Sequence, residues 1–344
     1  MLPECAATMK LSNRTGCNGA LENCAKKYNH VAYATMHNAF ATSQDGIFFA
    51  QHRGCMRSAL VQGIRCFMLD VHLTASNTLK LCHGQCWLGS VSFNDTLQMF
   101  REFRELNPQE IITIFVEAGY DGRTQVDNAT KRTFELLIKQ TFESSGLTPF
   151  MQIRDWMVPK GNTASGVYVD WPLLSTMIEK EKQIVVFIDQ KEFCFGGIAA
   201  WLHCTKYFVS QSEWGVSTPQ NLVEDCDFFK IWPRSHEMLL INHFTVLGTL
   251  GVNAKSTAWI GHMLNANALQ NINRDPFLSN RVLSCSKCLG RMINFVAVDF
   301  WESSDVLLLI DMINTNVTRL NSYPHSPDAD FCGGSMQSNL TVWY

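Results

Sequence analysis

Two histidines and a carboxylate stand where short apolar runs end. In GIRCFMLDVHLTASNTLKLCHGQC, residues 63 to 86, Ile64, Cys66, Met68, Asp70 and His72 alternate with Arg65, Phe67, Leu69 and Val71. A strand of that pattern puts Asp70 and His72 on one face at its C-terminal end and Arg65 on the other. The next apolar run, LKLCHG, ends in His83 and Gly84, and the earlier ATMHNAFAT holds His37 and Asn38. An imidazole takes or gives a proton near neutral pH, its unperturbed pKa being about 6.5. Histidines and a carboxylate at the ends of consecutive strands therefore point to acid/base chemistry around a charged group. Taken singly, a histidine at a strand end is more often a hydrogen-bonded structural group; the pair in this setting argues for chemistry.

The elements that must carry these groups alternate along the chain. VAYATMH (31 to 37) predicts a first strand, IFFAQHRGCMRSALVQ (47 to 62) allows a helix, and Gly63 opens the second strand. Phe93, Leu97, Phe100, Phe103 and Leu106 recur at helical spacing and stop before Pro108, and EIITIFVEAG (110 to 119) is a buried strand bringing Glu117 to its end. A helix over 126 to 146, a polar loop over 152 to 166 and a helix over 171 to 182 precede QIVVFIDQKE, whose end presents Asp189 and Lys191. KYFVSQSEWG reads as a fifth strand, EMLLINHF as a later one ending in Asn242 and His243, and NFVAVDFWE brings Asp299 to a strand end before a closing helix. Polar residues thus collect at the C-terminal ends of seven or eight strands separated by helices. That is the layout of an α/β protein of the (β/α)8 TIM-barrel type, with room for distortion, in a single domain over 31 to 344. Residues 1 to 30 form a cysteine-bearing lead-in. An open doubly wound sheet would bring a glycine-rich phosphate loop after the first strand, and the sequence has none.

Composition bounds the setting. The chain has 344 residues, 46% of them hydrophobic, enough for a large core. With 28 basic and 31 acidic residues the net charge is −3, which gives no electrostatic case for nucleic acid. Thirteen cysteines, among them the close spacings Cys17/Cys24, Cys82/Cys86 and Cys285/Cys288, suit local loops closed by disulfides, and the odd count leaves at least one thiol unpaired or joined to another chain. Sequons at Asn13, Asn94, Asn128, Asn316 and Asn339 agree with an oxidising, secretory setting or the cell surface. The first ten residues lack the apolar core of a signal peptide, so secretion requires a leader outside this sequence.

The ordered set CNGALENC, MHNAF, GIRCFMLD, LCHG, NPQEIITIFVE, INHF and NFVAVDFW resembles the X region of phosphatidylinositol-specific phospholipase C. The likeness is closest to the secreted, cysteine-bearing branch found in plants, fungi and protists. The resemblance implies that His37 binds the phosphate and stabilises the transition state or assists proton transfer, with His83 as the other half of an acid/base pair. It implies that Asn38, Asp70 and Glu117 hold a divalent cation, Ca2+ first and Mg2+ as the alternative, since all three offer hard oxygen ligands. Many calcium-dependent relatives read Glu-x-Asp where this chain reads Met68-Leu69-Asp70, so one oxygen ligand is missing and metal-independence stays open. His72 is a substitute ligand or a substrate contact. Asp189, Lys191 and His243 are candidate substrate contacts, and Asp299 a carboxylate that orients a catalytic histidine or merely caps a strand.

The expected activity is that of a phosphoric diester hydrolase or lyase acting on phosphatidylinositol or a related phosphodiester at a membrane surface. The alternatives are a glycerophosphodiester phosphodiesterase or sphingomyelinase D-like enzyme and, from another class, a non-catalytic barrel that binds headgroups or a partner. The sequence leaves the oligomeric state open.

Overall fold

The computed structural model describes residues 8–12, 14–121, 126–153, 158–163, 166–189, 199–212, 226, 238–243 and 271–315. Its strands in chain order are β1 (Tyr33–Met36), β2 (Cys66–Leu73), β3 (Leu79–Leu81), β4 (Val91–Ser92), β5 (Ile112–Tyr120), β6 (Val158–Thr163) and β7 (Gly166–Asp170). They continue with β8 (Ile184–Ile188), β9 (Leu202–Cys204), β10 (Val209–Gln211), β11 (Met238–Ile241) and β12 (Phe295–Val298). Eight of these lie parallel in one sheet, in the order β10-β11-β12-β1-β2-β5-β8-β9. Antiparallel β3 and β4 extend it from the outer half of β2, and β6 and β7 form a separate hairpin.

The sheet is curled. Phe115 of β5 and Phe295 of β12 stand three strands apart in the sheet order, yet their rings meet edge to face at 5.2 Å. Tyr33, Cys66, Phe115, Phe187, Leu240 and Phe295 share one buried cluster, which is the barrel interior. The alternate residues of the same strands, among them Met36, Phe67, Leu69, Ile114, Val186 and Val296, pack outward in a second cluster with the helices. The curl leaves the barrel incomplete: among the described residues no ladder joins β9 to β10, and a helical turn, Thr205–Phe208, links them instead.

Helix α1 spans Met56–Gln62, α2 Phe93–Leu106, α3 Asn128–Ser144 and α4 Leu174–Glu179; further helices cover Phe277–Leu289 and Val306–Thr315. α2 starts where the Ser92 hydroxyl accepts from the Asp95 N–H at 3.2 Å, and it buries Phe93, Leu97, Phe100 and Phe103 along one stripe. None of the described helices is long and apolar enough to cross a membrane.

Several expectations need correction. The helix foreseen over 47 to 62 covers only α1, because Gln51 and His52 spend their N–H groups on the Ala41 carbonyl rather than on a helical ladder. The stretch 152 to 166 is not all loop, since it supplies β6 and the start of β7. The fifth strand is a short β10 preceded by a helical turn. β3 is no barrel strand; it runs back along β2. Cys17 pairs with Cys24 and Cys82 with Cys86 as their spacing foretold, but Cys285 reaches Cys226, 59 residues away, rather than Cys288. Cys66 is a free thiol sealed in the barrel interior.

Arg65 does face away from Asp70, as its odd offset foretold. Its Nε donates to Glu110 Oε2 at 2.7 Å, its Nη1 donates to the Leu60 and Ile64 carbonyls at 2.5 and 2.8 Å, and its guanidinium lies over the Phe103 ring. Both side chains of this pair are 3% exposed. Glu110→Ala is expected to cost about 3–5 kcal/mol in urea unfolding, because it strands a buried charge. Glu102→Ala, which breaks the exposed pair with Arg57, is expected to cost under about 1 kcal/mol.

Candidate active site

Inward-facing positions decide what the barrel mouth contains. Tyr33 and Thr35 on β1 point inward, so His37 does so just past the strand; Phe295 and Ala297 on β12 lead likewise to Asp299. The β1/β12 register pairs Met36 with Val298 and brings the next residues together, the His37 Nδ1–H donating to Asp299 Oδ1 at 2.8 Å. On β2 the inward series is Cys66, Met68, Asp70 and His72, and on β5 it is Phe115, Glu117 and Gly119. Asp70 stands directly opposite Glu117 and His72 opposite Gly119. Asp189 follows β8, its N–H on the Val116 carbonyl at 3.2 Å, which sets it beside Glu117. Apolar side chains plug the barrel, and the next layer is acidic and imidazole.

Three strand-end devices complete the mouth. Asn38 takes a left-handed turn at φ 41°, tolerable for asparagine, and the Ala39 N–H then bonds the Met68 carbonyl at 2.9 Å. Its amide lies 3.0 and 3.1 Å from the two Asp70 oxygens. With the NH2 turned inward it donates to Asp70 and its oxygen faces Gln51; with the oxygen turned inward, a cation or a proton on Asp70 is needed to relieve the contact. β3, running back from the tip of β2, ends with Cys82 beside Asp70, the Cys82 N–H on the Asp70 carbonyl at 3.3 Å. The disulfide to Cys86 then closes a tight loop that holds His83 at the mouth. His72 rests flat on β5, and a Cβ on Gly119 would stand 2.5 Å from its ring.

His243 and His37 stack at 3.3 Å between ring centroids with planes 9° apart. Burial and the neighbouring His52 and His83 hold the His37 imidazole well below its usual range, and burial beside His37 pushes His243 down to about 3. His72 and His83 are also lowered, by burial first, with Asp299 opposing the shift at His83. Burial raises Asp299, and burial together with Glu117 holds Asp70 well above the ordinary carboxylate range.

The structure thus brings together His37, His83, His243 and Asp299 on one side of the mouth and Asn38, Asp70, Glu117 and Asp189 on the other, with His72 outward of Asp70. Lys191 lies outside the described residues. Sequence reasoning missed His52, Gln51 and Arg281. His52 is fully buried and its Nε2–H donates to the His37 carbonyl at 2.5 Å; the Arg281 Nη1 donates to the Asn242 carbonyl at 2.9 Å, one residue before His243. Nothing in the spacing marked them, since His52 and Arg281 act through backbone carbonyls and Gln51 through the Asn38 amide, partners that only the fold brings near.

Unfolded histidine binds a proton below about pH 6.5, whereas buried His243 does not until about pH 3. Its contribution to stability is therefore complete above about pH 6.5 and is lost as the pH falls from there toward about 3. In 15N spectra at pH 5 the His243 side chain is expected to show neutral imidazole; a protonated ring at that pH contradicts its burial against His37.

The profile of the PI-PLC X 1 family matches residues 23–314. The chain is 24% identical over 303 residues to PI-PLC X domain-containing protein 1 of Arthroderma benhamiae, across 85% of this chain and 87% of that protein. It is 26% identical over 179 residues, 52% of this chain and 36% of the relative, to a protein of the same fungus described only as an uncharacterized secreted protein. Phosphatidylinositol-specific phospholipase C of Staphylococcus aureus superposes with a TM-score of 0.53 at 14% identity, covering 83% of this chain and 93% of that one. That likeness bears on the fold alone. A match to the family profile over most of the length, carrying the very strand ends that line the mouth, places this chain in the PI-PLC X family.

Proposed function

We propose that the protein is a phosphodiesterase of the phospholipase C type, acting on phosphatidylinositol or a closely related phosphodiester. The observation that carries the proposal is the His37–Asp299 hydrogen bond at the barrel mouth with His83 held close by. With Nδ1–H committed to Asp299, the Nε2 lone pair of His37 is left to take a proton from an attacking hydroxyl, and Asp299 steadies the imidazolium that forms. His83 delivers a proton to the departing oxygen. An anionic phosphate between the two rings favours their charged forms, offsetting burial. If the substrate carries a ring hydroxyl next to the phosphate, as inositol does, that hydroxyl attacks and the products are a cyclic phosphate and a diacylglycerol. Glycerophosphodiester and sphingomyelinase D-like chemistry would need water or another hydroxyl in its place.

Asn38, Asp70 and Glu117 offer hard oxygen donors that suit a divalent cation: the Asn38 amide lies against both Asp70 oxygens, Glu117 stands opposite Asp70 in the ladder, and burial and Glu117 push the Asp70 carboxyl well above its ordinary range. Bound there, Ca2+ or Mg2+ supplies positive charge against the phosphate. Met68 stands on the same inward face two residues before Asp70 and offers no oxygen, which favours a weaker site. A membrane-borne substrate is supported by Phe48 and Trp87, 71% and 77% exposed, on two loops joined by the Phe48 N–H to Leu88 carbonyl bond at 3.0 Å next to the His83 loop. The disulfides and the secreted relative favour the secretory pathway or cell surface.

His37→Ala and His83→Ala are each expected to lower turnover of phosphatidylinositol vesicles by about 10²-fold or more. Unchanged turnover in both, or headgroup binding without turnover in the wild type, favours a binding barrel instead. Because a cation at Asp70 would oppose the upward shift that burial and Glu117 impose on its carboxyl, Ca2+ affinity is expected to rise with pH and its binding to release protons. Calorimetry in buffers of different ionisation enthalpy measures this, and a proton count of zero contradicts the assignment.

A further inference from the structure

The mouth holds a second ligand set, distinct from the oxygens of Asn38, Asp70 and Glu117. One ring nitrogen each from His37 and His243 and one carboxylate oxygen of Asp299 all lie within 4.8 Å of one another. All three residues are well shielded, the side chains of His37 and Asp299 being 12% and 0% exposed. Asp299 Oδ1 receives the His37 N–H, but among the described residues its buried Oδ2 has no hydrogen-bond donor. A sealed carboxylate oxygen without a donor is costly and invites an ion. The backbone at two of the three ligands is tied down from behind, His52 donating to the His37 carbonyl at 2.5 Å and Asn273 Nδ2 to the Asp299 carbonyl at 2.7 Å. The stacked rings keep one nitrogen each within 4.8 Å of the other and of an Asp299 oxygen, so a tilt of the two rings toward each other brings both nitrogens onto one ion.

We infer that His37, His243 and Asp299 form a site for a borderline transition-metal ion such as Zn2+, separate from the oxygen site, and that its occupation silences the acid/base pair. Two imidazoles and one carboxylate are a donor set for Zn2+ or Co2+ rather than for Ca2+. Three protein ligands leave a fourth position facing the mouth, open to water or an anion. A neutral imidazole has one free lone pair, so a metal on either His37 nitrogen leaves none for proton transfer and an ion here acts as an inhibitor; this second half rests on the phosphodiesterase reading. The other cluster of potential ligands, His72 with Cys82 and Cys86, does not compete, because its sulfurs are consumed in a disulfide.

The test uses the intact, disulfide-bonded protein. Zn2+ titrated by calorimetry in excess Ca2+ is expected to bind one equivalent, and Co2+ to give visible absorption bands of a four-coordinate N/O site. His243→Ala and Asp299→Asn are each expected to weaken binding by at least about tenfold, while Asp70→Asn leaves it unchanged. Equal Zn2+ affinity in wild type and a folded His243→Ala or Asp299→Asn protein overturns the assignment, as does loss of binding in Asp70→Asn. Saturating Zn2+ is expected to abolish turnover, with recovery on adding a zinc-selective chelator. Full turnover with Zn2+ bound overturns the inhibitory half, and because binding is read without substrate, a failure of the phosphodiesterase reading leaves the metal assignment separately decided.

Discussion

A carboxylate inside an apolar barrel is tolerable only when something answers its charge, and the Asp299–His37 hydrogen bond is that answer. It exists because β1 and β12 pair in a register that sets Met36 against Val298 and therefore the next two residues side by side. Everything else at the mouth is arranged around this contact. His52 grips the His37 carbonyl, Asn273 grips that of Asp299, and His243 lies flat on the His37 ring. Below the contact the barrel is filled by aromatic and aliphatic side chains, so the imidazole is held neutral and its Nδ1–H has one direction to point.

How far the site was legible in the sequence follows from which residues a strand places by alternation. His37, Asp70, Glu117 and Asp299 each continue an inward series that ends an apolar run, and period-2 alternation alone sends them to the mouth. Arg65 was legible as an outward residue for the same reason. His83 was found as a functional candidate but not placed, because LKLCHG looks like one more barrel strand; only pairing shows β3 doubling back along β2. On β11 the inward series Met238 and Leu240 continues to Asn242, so His243 is out of phase and its stacking on His37 could not be read from spacing. His52 was hidden inside an apolar stretch with helical potential, and the Ala41 carbonyl takes the Gln51 and His52 N–H groups that a helix would have needed. The Cys226–Cys285 bridge spans 59 residues, a distance over which sequence spacing carries no information about pairing.

The two sides of the mouth divide the chemistry. Asn38, Asp70, Glu117 and Asp189 gather oxygen and negative charge, which costs stability unless protons or a cation moderate it, and burial first and Glu117 second push the Asp70 carboxyl up. The imidazole side can move protons. Under the proposed function a phosphodiester set between them would meet proton transfer on one flank and a seat for positive charge on the other, and Met68 faces the same space without an oxygen.

The central claim is that this mouth cleaves a phosphodiester by two-histidine proton transfer. Phosphorus NMR of products from phosphatidylinositol vesicles, recorded with and without chelator, tests it most directly. A cyclic inositol phosphate that appears with Ca2+ present and fades on chelation is the predicted result. An unchanged lipid phosphorus signal, with folded protein and either Ca2+ or Mg2+ supplied, would contradict the account.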